Sequence, residues 1–330
     1  MYEQGKTMSQ IISKENNTAL KALFLNAIVA YKNGLTKSNT SKFNPSQLFS
    51  SQYLMQMSKR LSLPEISVLL YAEKVRENGL ALTRSGDVAN GEKLLDDARK
   101  ICLDAKLSNE ALSAAETFQT AAEAYIQYKK KAYHKAITSL INSLEFCRVL
   151  NNEYGYSMEM RRVHLARNIV RVESSSNNLG EAMKLASSMV RYLEGDDEFW
   201  PFCKTQLWTK GNSLTSQEKW CCIDEILMEI SLLLNKPKTV SKELLRISEP
   251  YLFKRNINND SEFLRVNAWL AAMHAYVEDN VGVFLDNVAI FFSEGSDYMQ
   301  QAWQEILLSF VKTCKEIDPK AITELNIDKN

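Results

Sequence analysis

The sequence predicts an all-α protein: a right-handed solenoid of antiparallel helical hairpins behind a helical N-terminal cap. Two observations carry that prediction. The first is a pattern that returns about every 45 residues. Gly86-Asp87-Val88 leads to Leu94 and Ala98, Lys131-Ala132-Tyr133 to Ala136 and Leu140, and Asn177-Asn178-Leu179 to Ala182, Ala186 and Met189. Each time a turn residue opens a helix, and small or apolar side chains follow at three- and four-residue steps. One such hairpin cannot bury its apolar face alone, so a fixed period of this length means stacking. The second is a shortage of turn formers. The 330 residues include 11 Gly and 6 Pro, against roughly 23 and 16 at average usage. Sheet proteins need both at their many turns, so the shortage favours long helices with few connections.

The elements follow in order. Residues 1–17 are polar and are expected to be a flexible N-terminus. Residues 18–63 form the cap. In 18–33, Leu20, Leu23, Phe24, Ala27, Ile28 and Tyr31 lie on one helical stripe, and Gly34 is placed to end that helix. Residues 35–46 read as a loop and 47–60 as a second helix. Pro64 suits the first turn of a long helix over 64–84. Three hairpins then span 64–194, with helices near 64–84 and 87–104, 108–130 and 132–150, and 154–174 and 178–194. Residues 195–214 break the rhythm as an insertion that holds Phe199, Trp200, Pro201, Phe202, Trp208, Gly211 and Asn212. Its aromatic content implies that it packs. Diverged helices fill 215–316, near 215–235, 238–253, 261–278, 281–293 and 297–316. A loop is expected at 256–260, and the last helix serves as a terminal cap. Residues 317–330 form a C-terminal tail.

Composition narrows function by exclusion. The chain is 45% hydrophobic and 24% charged, ordinary for a globular protein. Lys+Arg 40 balance Asp+Glu 40, whereas a general nucleic-acid or membrane-surface binder carries a basic excess. Electrostatic recognition must therefore be local. Cys102, Cys147, Cys203, Cys221, Cys222 and Cys314 form no CxxC pair and read as buried thiols of a reducing compartment. No secretory signal pattern and no apolar run of about 20 residues is present, so a cytoplasmic protein without a membrane span is expected.

The three-fold pattern resembles the tetratricopeptide repeat, in which two helices pair with Gly or Ala at the eighth position. Gly79 stands at that position in the first repeat, Ala124 in the second, and Val170, a departure, in the third. Tyr133, Ala136, Leu179 and Ala182 match the turn and second-helix positions. The period is longer than the family's usual 34, which implies longer helices. The resemblance covers residues 64–194 well and 215–293 weakly, where Ala268, Ala272 and Ala275 form a small-residue stripe.

The resemblance implies that the first helix of each pair lines a groove. Carried over by spacing, its positions fall on Glu73, Arg76, Leu80, Thr83 and Arg84. In the second repeat they fall on Phe118, Ala121, Tyr125, Tyr128 and Lys129, and in the third on His164, Arg167, Arg171 and Ser174. That set is cationic with an aromatic middle. Residues 120–171 hold nine Lys/Arg against four Glu. Arginine forks match carboxylates, and tyrosine adds rigid contact area at little entropy cost. The binding residues expected are Arg76, Arg84, Phe118, Tyr125, Tyr128, Lys129, His164, Arg167 and Arg171. The partner is an acidic or carboxylate-bearing peptide or protein segment. Arg167 and Arg171 are expected to tolerate reversal to Glu without loss of the fold.

Catalytic and metal patterns find little footing. His134, His164 and His274 form no HExxH and no Glu-x-x-His pair. Adjacent Cys221 and Cys222 point about 100° apart on a helix, and with Cys203 they lack zinc-ligand spacing, so no metal and no cofactor is expected. Asp224, Glu225 and Glu229 share a helix and invite comparison with all-α isoprenoid synthases. The nearest match to the aspartate-rich motif of those enzymes, Asp96-Asp97-Ala98-Arg99-Lys100, ends on a lysine. No phosphate-cradling glycine loop occurs. The reading is a non-catalytic binding protein. Its alternatives are a peptide-sensing regulator with the N-terminal helices as output surface, an RNA-binding helical repeat through Lys129–Arg171, and an all-α enzyme.

Overall fold

The computed structural model describes residues 14–37, 45–202, 214–252, 263–295, 297 and 299–317. Thirteen α-helices and no strand occur among them. They are α1 (Lys14–Lys37), α2 (Pro45–Ser58), α3 (Leu63–Arg84), α4 (Val88–Asp104), α5 (Asn109–Lys129), α6 (Tyr133–Tyr154) and α7 (Glu159–Ser175). There follow α8 (Leu179–Leu193), α9 (Ser216–Leu234), α10 (Lys238–Leu252), α11 (Leu264–Val277), α12 (Val281–Ser293) and α13 (Gln300–Ile317). The expected loop at 256–260 lies outside the described residues, as do Cys203, Trp208, Gly211 and Asn212. No helix of the described residues is long and apolar enough to cross a membrane. The chain divides into two compact units, residues 43–222 and residues 1–42 with 223–330. The segment 18–63 is shared between them, α1 in one and α2 in the other.

In the 43–222 unit, α3 packs on α4, α5 on α6 and α7 on α8, while α3 also touches α5. The turns within these pairs share one geometry. Gly86, Lys131 and Asn177 take positive φ. Each donates its N–H to a carbonyl three residues back, and the next residue donates to one five back. The left-handed conformation therefore recurs at intervals of 45 and 46 residues. It falls on glycine once and on asparagine once, the types that adopt it most readily.

Helix starts are capped from the sequence outward. Ser62 and Glu65 form a capping box on α3, which satisfies two otherwise orphaned amides. The other oxygen of Glu65 accepts the N–H of Ser108, the N-cap of α5, at 3.0 Å. One carboxylate thus ties together the starts of two helices. Bonding to the Ser108 side chain and amide, then to those of Ser62, holds its pKa down to about 2. Farther along, Arg99 of α4 pairs with Glu116 and Glu123 of α5 at 2.5 and 2.7 Å. Val170, the departure from the small-residue pattern, is buried, and α7 still packs on α8, whose Ala182 and Ala186 are fully buried. The 195–202 segment packs as its aromatics imply: Trp200 is buried, 5.0 Å from Tyr192.

In the other unit α11 packs on α12, and α12 on α1. Phe24, Ala27, Ile28 and Tyr31 are the buried stripe of α1, as its periodicity requires. Tyr31 meets Phe292 at 5.3 Å and Trp303 at 5.9 Å. The expected helix end at Gly34 is corrected: α1 runs on to Lys37. Gly34 is a contact glycine instead, because a Cβ there would stand 2.1 Å from the Phe292 carbonyl oxygen. The α11–α12 turn repeats the earlier geometry, with Asp279 at positive φ and the same pair of backbone hydrogen bonds.

A candidate binding face on α3, α5 and α7

Counting back from the equivalent turn residues puts Glu73, Phe118 and His164 in register, and likewise Leu80, Tyr125 and Arg171. Partly buried or exposed side chains run along one stripe of each helix. On α5 they are Phe118, Ala121, Tyr125 and Tyr128, and on α7 Arg161, His164, Asn168, Arg171 and Ser175. The steps of three and four mark one helical face. The stripes meet at two places.

The first is an aromatic layer toward the C-terminal ends of the helices. Tyr125 stacks on Tyr128 at 6.2 Å, and Tyr128 packs on Tyr133 at 6.1 Å. The ammonium of Lys129 lies 5.5 Å from the centre of the Tyr125 ring, a favourable cation–π placement. The Tyr128 hydroxyl sits 3.1 Å from the Ser175 hydroxyl, which links α5 to α7. Lys129, Arg84 and Arg171 are exposed.

The second is a cationic cluster around Phe118. The Arg76 guanidinium lies 5.9 Å from the ring centre and that of Arg161 4.6 Å. Arg76 is buried and its donors are engaged inside the fold. Nη1 donates to the Ala115 carbonyl of α5 at 3.1 Å, while Nε and Nη2 donate to Glu73 at 3.2 and 2.5 Å. A buried guanidinium needs such a set to offset its desolvation. Arg76 therefore joins α3 to α5 rather than presenting a free fork. Arg167 is also buried, at 7% exposure, so the expectation that it tolerates reversal is corrected: a carboxylate there would be desolvated.

Helix α2 lies against the same cluster. Tyr53 packs on Phe118 at 5.2 Å and on Tyr156 at 5.7 Å, and Phe49 meets Phe118 at 6.4 Å. The Gln56 side-chain carbonyl accepts the N–H of Ser157 at 2.7 Å. The Phe118 end of the face is thus covered by the chain's own helix. Sequence reasoning did not reach Tyr53, Phe49 or Arg161. Arg161 had a signal, because it lies three residues before His164 on the stripe that includes Arg171.

Chemistry on other groups is limited. The five described cysteines are buried and unbridged. Burial pushes the Cys147 thiol up to about 12 and those of Cys102 and Cys314 upward as well, away from the thiolate that a nucleophile needs. Of the acidic trio on α9, Asp224 faces inward and accepts the N–H groups of Gln301 and Ala302 at 3.2 and 2.8 Å. It caps α13. No group of three metal-ligating side chains occurs among the described residues. No family model, no curated protein and no solved structure matches the chain.

Proposed function

We propose that the chain is a non-catalytic, tetratricopeptide-like helical-repeat protein that holds an acidic segment of a partner against α3, α5 and α7. In this reading the three helix pairs of residues 63–193 stack as hairpins of a right-handed solenoid. The recurrence of one turn geometry at Gly86, Lys131 and Asn177 supports that arrangement. The observation that carries the binding role is the tyrosine layer, with Lys129 over Tyr125 and exposed Arg84 and Arg171 on the neighbouring helices. Flat rings supply contact area and the cations choose acidic sequences. The test is fluorescence anisotropy with acidic and basic ten-residue peptides of matched hydrophobicity. Acidic peptides should bind with marked salt dependence, and the Tyr125→Ala/Lys129→Glu variant should lose at least about tenfold (about 1.4 kcal/mol). Equal binding of both peptide sets, or an unaffected variant, removes the reading.

A second reading is a peptide-sensing regulator, and the seat of α2 on Phe118 favours it. A ligand that reaches Phe118 would displace Tyr53 and Phe49 and free α2 as an output surface. Hydrogen exchange over residues 45–58 should then accelerate when an acidic peptide binds. Unchanged protection there leaves the simple binding role.

A further inference from the structure

The polar groups around Phe118 do not balance. Two guanidiniums, Arg76 and Arg161, stand on that ring, and the carboxylate coupled to both, Glu73, is taken up by Arg76 through two donors. Arg161 has no ion-pair partner among the described residues, and its Nε is sealed from solvent with no hydrogen-bond acceptor. Enough water is lost that burial lowers its pKa. The remainder of the side chain keeps an exposed edge, so an incoming group can reach it. Beside it, Tyr53 is only 6% exposed, and its hydroxyl is buried without a partner. An unpaired, partly desolvated cation destabilises the fold, and a buried donor without an acceptor adds to that cost. Side chains held at such expense mark places where a ligand completes the set.

We propose that Arg161 anchors a carboxylate subsite at the meeting of α2, α5 and α7, with Phe118 as its apolar floor and Tyr53 as a second donor. The ligand class is a monocarboxylate attached to an apolar or extended chain, such as the terminal carboxylate or an acidic side chain of a peptide. The planar fork of arginine suits two parallel bonds to a carboxylate. On the same ring Arg76 already holds a carboxylate, with Nε and Nη2 both donating to one oxygen of Glu73, and the flat ring accepts a methylene stem. The proposal rests on the reading of α3, α5 and α7 as a binding face and assigns that face a specific anchoring point.

The experiment separates the two by using small carboxylates and no peptide. The full chain is labelled with nitrogen-15, and the Nε–H resonance of Arg161 is assigned by its loss in Arg161→Lys. Sodium propionate is then titrated against sodium chloride and sodium phosphate at equal ionic strength. The expected result is a saturable shift of that resonance with propionate and none with chloride. A thermal shift with propionate should appear in the wild type and vanish in Arg161→Met, and this variant should melt higher than the wild type when no carboxylate is present. No saturable shift with propionate up to about 100 mM overturns the subsite. So does phosphate saturating at lower concentration, or propionate stabilising Arg161→Met as much as wild type. If the subsite fails while acidic peptides still bind through Lys129, the binding face stands without it. If propionate binds while acidic peptides do not, the subsite serves small acids and the peptide reading falls.

Discussion

Gly79 of α3 and Gly91 of α4 meet backbone to backbone. A Cβ on Gly79 would lie 2.8 Å from the Gly91 carbonyl oxygen, and a Cβ on Gly91 would lie 2.7 Å from that of Gly79. The crossing of these helices is therefore as close as glycine permits. Alanine at either place gains up to about 1 kcal/mol of helix propensity, but overpacking costs about 1–3 kcal/mol, and a carbonyl cannot rotate out of the way as a side chain can. Gly79→Ala and Gly91→Ala should each lower the melting temperature, and Gly79→Ala/Gly91→Ala should lower it further. A melting point at or above that of the wild type would show that the helices separate freely.

Gly34 makes the same argument in the other unit. A Cβ there collides with the Phe292 carbonyl oxygen and stands 2.7 Å from the rim of the Trp303 ring. Gly34→Ala is expected to loosen α1 from α12 and to cost about 2–3 kcal/mol. The measurement is a near-ultraviolet dichroism spectrum, where the Tyr31, Phe292 and Trp303 cluster should lose signal while far-ultraviolet helicity stays.

Asp224 predicts a stability that falls as pH rises. Burial raises its carboxyl to about 6, against the opposing bonds from Ala302 and Gln301. Because the folded pKa lies above the unfolded value, the folded state holds the proton more tightly. That contribution is complete below about pH 4 and is lost as pH climbs through 6. The stability of wild type relative to Asp224→Asn should drop by on the order of 2–3 kcal/mol across this window. A flat difference between pH 4 and pH 7 in urea titrations would contradict the assignment.

Glu65 predicts the opposite slope. Its carboxyl is held down to about 2 by Ser108 and Ser62. The folded state therefore prefers the ionised form, and the contribution is present above the unfolded pKa of about 4.5. It is lost as pH falls through about 2. Glu65→Ala should cost about 1 kcal/mol at neutral pH, as for other helix caps, and should melt closer to the wild type as the buffer is acidified toward pH 2. Denaturant curves at neutral and acidic pH would settle it; an undiminished difference in acid would count against the bridge.

Arg167 and Arg171 should part company. Arg167 is buried and Arg171 exposed. Arg167→Glu is expected to destabilise by about 3 kcal/mol, whereas Arg171→Glu should change stability by less than about 0.5 kcal/mol and act on acidic peptides alone. Paired melting and anisotropy measurements on the two single variants check this.

The helical register of this chain and the turns at Gly86, Lys131 and Asn177 were legible from residues alone. These features are local: carbonyls four residues back and a left-handed turn at Gly86 or Asn177. They need no knowledge of what lies across the fold. The partly buried stripe of α5 was legible for the same reason, since Phe118, Tyr125 and Tyr128 follow from spacing. Which cations are available was not legible. Arg76 and Arg171 both read as groove arginines in the sequence, and burial separates them: Arg76 is buried and Arg171 exposed.

By itself the sequence determined an all-α chain, the period of its helix pairs and the residue types along each stripe, because backbone hydrogen bonding and side-chain periodicity act over a few residues. Tertiary structure alone decided three things: that Gly34 is a contact and not a stop, that α2 covers Phe118, and that Arg161 has no carboxylate of its own among the described residues. Each depends on atoms supplied by segments remote in the chain, and desolvation has no sequence signature until those segments close over it.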